Sequence, residues 1–267
     1  MLLPVRTVEK VWGRDILPAP FKAPEGQRIG EIWFEPPEEL PQLLVKYLFT
    51  SEKLSIQNHP SDMQTEALGL GKQGKEECWL VVAAEEGATL GIGFDREVSV
   101  EQMREAALDG SIEDAMTWHE VQAGDFFYIP ANTVHAIGAG CSIIEIQQNS
   151  NITYRLYDYG RPRELHLDEG LAVAIGAPYD MANHKTLPRD GNFSLVDGPY
   201  FRLDRVDGVP GEDLLYAYAG ELLVIPLAGE VLVAGGEVVG PGECAMAPDL
   251  ASVTFAPDGK ALVAMPL

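Results

Sequence analysis

Short apolar runs broken by turn residues constrain this chain more than any other feature. The stretches 43–49, 54–56, 79–83, 126–129, 142–146, 222–227, 231–234 and 261–265 are strand-sized and bounded by turn residues. Glycine occurs 27 times and proline 19 times in 267 residues. A chain punctuated this way folds as a β-barrel or β-sandwich. Helical signals are few. Ser99 and Gln102 have the spacing of a capping box, and Val100, Met103 and Ala107 recur at helical spacing until Asp109-Gly110. Ser111 opens a short second helix over 112–116. Softer helices are expected over 62–70 and around 166–175, the latter with Asp168 as its cap.

Two segments share one layout. Gly124-Asp125-Phe126-Phe127-Tyr128-Ile129-Pro130 and Gly242-Glu243-Cys244-Ala245-Met246-Ala247-Pro248 both read Gly, acid, four residues, Pro. They predict two copies of one small β-unit, joined by a linker over 176–193. The copies differ at one position. Five residues after Pro130 stands His135, whereas five after Pro248 stands Val253. By this pattern the first copy can hold a metal and the second cannot. The length suits this division, at roughly 150 residues per domain.

Charge and cysteine content exclude several classes. The formal net charge is −22, which argues against a partner with a phosphate backbone or an anionic membrane surface. Hydrophobic residues make up 46% and charged residues 22%, which excludes a disordered chain. Cys78, Cys141 and Cys244 are too few and too scattered for a disulfide framework, and no C-x-x-C pair offers a thiolate zinc site. The first residues lack the apolar core of a signal peptide, and no run approaches 18 apolar residues. A cytoplasmic location is expected.

Of five histidines, two stand in informative settings. Gln57 and His59 lie two apart in L-S-I-Q-N-H-P, so on a strand both project from one face. His135 follows a Pro-led turn at a strand start, and Glu77 enters another strand in G-K-E-E-C-W-L-V-V. Gln57, His59, Glu77 and His135 make a nitrogen–oxygen donor set that favours Zn²⁺, with Fe, Mn, Co or Ni as alternatives. The plain reading is that Gln57 and His59 only end a strand before Pro60. His119, His166 and His184 read as structural.

The segment 124–138 resembles the second cupin motif, with Asn132 where glycine is usual. Gln57–Pro60, Gly74–Trp79, Gly124–Ala136 and Glu145–Arg161, with Trp12-Gly13 and Gly30-Glu31-Ile32-Trp33 near the start, are similar to the type I mannose-6-phosphate isomerases in their short bacterial form. The resemblance covers roughly residues 5–175 and rests on the degenerate second copy beyond about 190. It implies a mainly β fold of two cupin-type jelly-roll barrels in tandem. Residues 1–180 would form the catalytic barrel, with a helical segment near 99–116, and 181–267 a degenerate, metal-free one. It implies one zinc per chain, held by Gln57, His59, Glu77 and His135. It also implies interconversion of mannose 6-phosphate and fructose 6-phosphate through a cis-enediol.

That chemistry needs a base, a cation to offset the enediolate, and fixed groups for the phosphate. The resemblance assigns Arg155 and Glu145 to catalysis and Ser55, Lys75 and Arg161 to substrate binding. Glu145 alternates with Ile144 and Ile146, so it points into the barrel while they pack outward, or the reverse. A plain Glu145–Arg155 ion pair is the structural alternative. Arg161 and Arg163 could equally be loop charges around Pro162, and Lys53 is a further, weaker candidate. The expected partner is a small sugar phosphate, and the expected assembly a monomer or weak homodimer. Two other readings are a noncatalytic sugar-phosphate-binding cupin and an iron dioxygenase. The first should have lost a ligand or Arg155. The second should show three histidines and no basic residues. Asn58, where an aliphatic residue is common, should face away from the metal.

Overall fold

A computed structural model describes all 267 residues. Strands take 41% of them and helices 15%, so the chain is mainly β. The first part of the chain runs through β1 (Val5–Arg14), β2 (Ile29–Phe34), β3 (Leu43–Phe49), β4 (Ile56–Asn58), β5 (Glu77–Ala84) and β6 (Thr89–Phe94). It continues with β7 (Met116–Glu120), β8 (Asp125–Ile129), β9 (His135–Ile137), β10 (Cys141–Gln148), β11 (Tyr154–Tyr157) and β12 (His184–Thr186). A seven-stranded sheet has the order β1-β2-β3-β10-β5-β8-β12, and a five-stranded sheet the order β11-β4-β9-β6-β7.

The second part holds β13 (Phe193–Asp197), β14 (Phe201–Asp207), β15 (Leu222–Ala228), β16 (Val231–Val233), β17 (Glu237–Val239), β18 (Ala245–Ala247), β19 (Thr254–Phe255) and β20 (Lys260–Pro266). Its sheets have the orders β13-β14-β20-β15-β18 and β17-β16-β19. The two halves repeat one another. The order β3-β10-β5-β8 recurs as β14-β20-β15-β18, and β9-β6-β7 recurs as β19-β16-β17. In each case the strands follow in the same chain order, so the repeated G-D/E-x4-P layout falls on equivalent strands, β8 and β18. The second copy is filled by Val206, Val224, Val233, Val253, Phe255 and Val263. Beside this apolar filling the Tyr218 hydroxyl donates to Asp204 Oδ2 at 2.6 Å.

The helices are α1 (Asp62–Ala67), α2 (Val100–Asp109), α3 (Ile112–Ala115), α4 (Leu167–Val173) and α5 (Glu212–Ala217). Ser99 and Gln102 form the capping box of α2, and Gly110 ends it in the left-handed conformation at φ 88°. A second capping box, Ser61 with Gln64, starts α1. The expected cap at Asp168 is not formed. His166 occupies the cap position of α4 without a side-chain bond, and Asp168 in the first turn pairs with Arg104 at 2.7 Å. No helix is long and apolar enough to cross a membrane.

The stretch 176–193 is not a free linker. It contributes β12, paired to β8 at the edge of the first large sheet. The chain start also crosses over: Leu2 bridges Ala245, and Leu3 N–H donates to the Cys244 carbonyl at 2.9 Å. The largest apolar core lies between the halves, where Ile29, Phe34, Val45 and Ile146 meet Phe201, Leu203, Ile225 and Leu262. Burial of this interface drives the two copies together.

Candidate active site

Register between strands assembles the site. Across the seven-stranded sheet, Trp33, Lys46, Glu145 and Trp79 stand directly opposite one another on β2, β3, β10 and β5. Across the five-stranded sheet, Arg155, Gln57 and His135 do the same on β11, β4 and β9. Directly opposed residues share a face. These two rows contribute Trp33, Lys46, Glu145, Trp79, Gln57 and Arg155 to one cavity of about 330 Å³, which Lys10, Glu31, Ser55, Lys75, Asn151, Thr153 and Arg163 also line. Ile144 and Ile146 pack into the core on the other side. The alternation on β10 thus turns Glu145 inward.

Next to Lys75 of the cavity wall three buried side chains converge. His59, Glu77 and His135 are fully buried, and their ligating atoms lie within 4.8 Å of one another. Each imidazole is oriented by the backbone: His59 Nδ1 lies 2.8 Å from the Ile152 carbonyl and His135 Nδ1 2.9 Å from that of Thr133. A carbonyl can only accept, so Nδ1 carries the proton and Nε2 presents its lone pair. Both Nε2 atoms face Glu77, at 3.7 Å from His59 and 3.3 Å from His135. Both Glu77 oxygens and His135 Nε2 are buried without a hydrogen bond. The Lys75 ammonium lies 2.5 Å from Glu77 Oε2 and 3.1 Å from His59 Nε2.

The electrostatics match a cation site. Burial pushes His135 down to about 3. Burial, and then Lys75, lower His59. Both rings are therefore neutral near pH 7, the form that binds metals. Burial alone would raise Glu77, but Lys75 and then His59 outweigh it and hold the carboxyl well below its usual range. An anionic carboxylate with two converging imidazole lone pairs in a buried interior, with His135 Nε2 and Glu77 Oε1 left without a hydrogen bond, suits a divalent ion of borderline softness. Gln57 sits beside this group through its pairing with His135, and its Oε1 accepts from Ser55 Oγ at 3.1 Å.

Tight backbone contacts hold the group in place. Gly74 lies so close to Pro60 and Ser61 that a Cβ would stand 2.4 Å from their backbone atoms, and Lys75 N–H donates to the Pro60 carbonyl at 3.0 Å. This brings Glu77 beside His59. Asn132 adopts φ 72°, a left-handed conformation that asparagine tolerates better than most residues with a Cβ. Its N–H donates to the His59 carbonyl at 2.7 Å, and its Nδ2 reaches Gln64 Oε1 at 2.7 Å. Asn58 turns away from the site and donates to the Gly170 carbonyl on α4 at 2.9 Å.

The remaining predicted residues are placed as follows. Glu145 is buried and accepts from Lys46 at 2.9 Å and from the Trp79 indole at 3.1 Å, so its partner is not Arg155. Arg155 donates to the Glu164 carbonyl at 2.6 Å. His166, read as structural, returns to β11: its N–H donates to the Arg155 carbonyl, and its Nδ1 accepts from Arg155 N–H at 3.2 Å. Arg161 does not line the cavity, and Lys53 pairs with Glu113 over the Trp118 ring. Lys10, Glu31, Trp33 and Lys46 line it and were not singled out as site residues from sequence. Lys46 carried a signal, since a lysine in the middle of the apolar run 43–49 is unusual unless paired inside.

No family model matches the chain. It is 38% identical over 200 residues to the mannose-6-phosphate isomerase of Streptococcus mutans, a match covering 70% of this chain and 61% of that protein. It is 33% identical over 209 residues to the mannose-6-phosphate isomerase ManA of Bacillus subtilis, covering 74% of this chain and 65% of that one. This chain is similar in sequence to proteins named mannose-6-phosphate isomerase. The matches span less than two thirds of the length of these two relatives. The fold resembles the crystal structure of the mannose 6-phosphate isomerase from Bacillus subtilis, with a TM-score of 0.79 at 24% identity over 99% of this chain and 98% of that one. A putative mannosephosphate isomerase from Archaeoglobus fulgidus gives 0.74 at 18% identity, over 99% and 97%.

Proposed function

We propose that this chain is a metal-dependent aldose–ketose isomerase that interconverts mannose 6-phosphate and fructose 6-phosphate through a cis-enediol. The observation that carries this reading is the convergence of His59 Nε2, Glu77 and His135 Nε2, which Lys75 links to a cavity lined by charged groups of both signs. Its likeness to isomerases of that name supports the substrate. Zinc is the metal this reading assigns, held by His59, Glu77 and His135 with Gln57 as a fourth donor. When bound, the ion would polarise the sugar oxygens at C1 and C2 as a Lewis acid.

The chain's own residues supply the rest. Glu145 is a carboxylate fixed in the cavity wall, so it is the group assigned to take the proton from C2 and return it to C1. Lys46 and Trp79 hold both of its oxygens in place. Arg155 supplies the fixed positive charge that offsets the enediolate. Leu48, Leu54, Trp79 and Ile137 give this otherwise polar cavity an apolar wall.

The same reading takes the two halves as tandem cupin domains, 1–180 and 181–267, with the second degenerate. The repeated strand order supports it, although no sheet closes on itself into a barrel. It places the enzyme in the cytoplasm as a monomer or weak homodimer. Three free, buried cysteines accord with a reducing compartment.

A coupled assay of mannose 6-phosphate to fructose 6-phosphate, run before and after chelation and after zinc add-back, tests the reading. Chelation abolishes turnover and zinc restores it, and His135→Ala and Glu77→Ala abolish it. Full activity in verified metal-free protein refutes the mechanism.

A further inference from the structure

The two arginines that flank Pro162 have separate fates. The chain leaves β11 at Asp158, turns through Tyr159 at φ 54° and Gly160 at φ 76°, and comes back beside Arg155. Asp158 is only 2% exposed and accepts from both guanidiniums. Arg161 is spent on structure. Its Nε reaches the Asp158 carbonyl and Oδ1 at 3.2 and 3.1 Å, its Nη2 donates to the Lys53 carbonyl at 2.8 Å, and its Nη1 approaches Glu52 at 3.9 Å. Arg163 instead lines the cavity. Its Nε and Nη2 grip the two Asp158 oxygens at 2.5 and 2.6 Å. That fork leaves the Nη1 donors free of protein partners and aimed by a buried anchor.

Charge balance inside the cavity sets one end apart. Each lysine of the wall already faces a carboxylate. Lys10 lies 3.2 Å from Glu31, Lys46 2.9 Å from Glu145, and Lys75 2.5 Å from Glu77. The unneutralised positive charge belongs to Arg155 and Arg163, because Asp158 offsets only one of the two guanidiniums it holds. Burial, and then the nearby Arg163, lower Arg155, which reflects this concentration of cations. A dianion is drawn to that end, away from Glu31, Glu145 and Glu77.

We propose that Arg163, oriented by the buried carboxylate of Asp158, binds the phosphate of the sugar-phosphate substrate, and that Arg161 braces the loop instead. Arg163 is then a substrate-binding residue and Asp158 a positioning residue. The inference rests on the isomerase reading for its substrate, but phosphate binding tests it without turnover. The experiment measures inorganic phosphate binding by calorimetry, and KM, kcat and phosphate inhibition with mannose 6-phosphate, in wild type, Arg163→Ala, Arg163→Lys, Asp158→Asn and Arg161→Ala. Arg163→Ala should weaken inorganic phosphate and raise KM, each by about tenfold or more, with kcat changed far less. Arg163→Lys, which keeps the charge but loses the fork, should recover part of the loss. Asp158→Asn should raise KM by a smaller factor, where a purely structural role would lower only the melting temperature. Arg161→Ala should act chiefly on melting temperature and less on phosphate affinity than Arg163→Ala. The proposal is overturned if Arg161→Ala weakens phosphate more than Arg163→Ala does, or if the wild type binds no phosphate. Phosphate binding sensitive to Arg163 without turnover of mannose 6-phosphate would sink the isomerase reading alone.

Discussion

Asn132 offers a sharp test of how local backbone geometry supports the site. At φ 72° it occupies the left-handed region, and it ties the turn before β9 to His59. Its Nδ2 reaches the His59 carbonyl at 3.1 Å and Gln64 Oε1 at 2.7 Å. Asn132→Ala and Asn132→Gly both delete these two bonds, at about 0.5–1.5 kcal/mol each. The two variants differ in one respect. Alanine must hold a Cβ in the left-handed region, a cost of about 1–2 kcal/mol. Glycine avoids this but gains about 0.4–1 kcal/mol of unfolded-state entropy to lose. The difference favours glycine by about 1 kcal/mol, the reverse of the usual order of these residues. In a chain of this size that corresponds to about 2–4 °C in melting temperature. The assay is thermal and urea unfolding of wild type and both variants in chelator, so that metal affinity does not enter. Wild type should be most stable and Ala least. An Ala variant as stable as the Gly variant refutes the argument that the left-handed backbone selects the residue here.

Three further outcomes are expected. Lys46→Met leaves Glu145 buried with only the Trp79 indole as partner, at a cost of about 3–5 kcal/mol, and adding Glu145→Leu should recover much of it; strictly additive losses in urea unfolding would show that the pair is not coupled. Burial holds Asp204 above the usual carboxyl value despite the 2.6 Å bond from Tyr218, so the fold keeps a proton that the unfolded chain releases. That stability is present in acid and fades as pH rises through the folded-state value, so Asp204→Asn should gain on wild type as pH rises above about 4, and a constant difference would contradict the assignment. The formal charge of −22 slows capture of an anionic sugar at low salt, so kcat/KM should hold or rise toward ~0.15 M ionic strength; a steep fall would mean that the arginine end of the cavity governs capture.

Much of the fold was legible because its signals are local. Alternating apolar runs and Gly/Pro turns define short strands whatever their partners, and the Ser99–Gln102 spacing defines the start of α2 from within one turn. The repeated G-D/E-x4-P layout marked two equivalent strands because the same turn needs the same residues. Spacing set Gln57 and His59 two apart, although β4 ends at Asn58 and His59 follows it. By contrast, Asp168 missed its cap because the helix begins earlier, with His166 at the cap position, and this leaves Asp168 in the first turn beside Arg104. The stretch 176–193 looked like a linker because its strand is three residues long and takes its meaning from β8.

What lay beyond the sequence depends on register between distant strands. Lys46 and Glu145 are 99 residues apart and meet only because β3 pairs with β10 in that register. A one-residue slip would send both side chains to the opposite face. Arg161 and Arg163 are indistinguishable in sequence, each a loop arginine beside Pro162. The buried carboxylate of Asp158 sets one toward Lys53 and the other toward the cavity. Residue type and spacing therefore determined the strands, the repeat and the metal-type donors. Tertiary pairing alone decided which charges face one another, because the free energy of a buried charge depends on the partner that meets it.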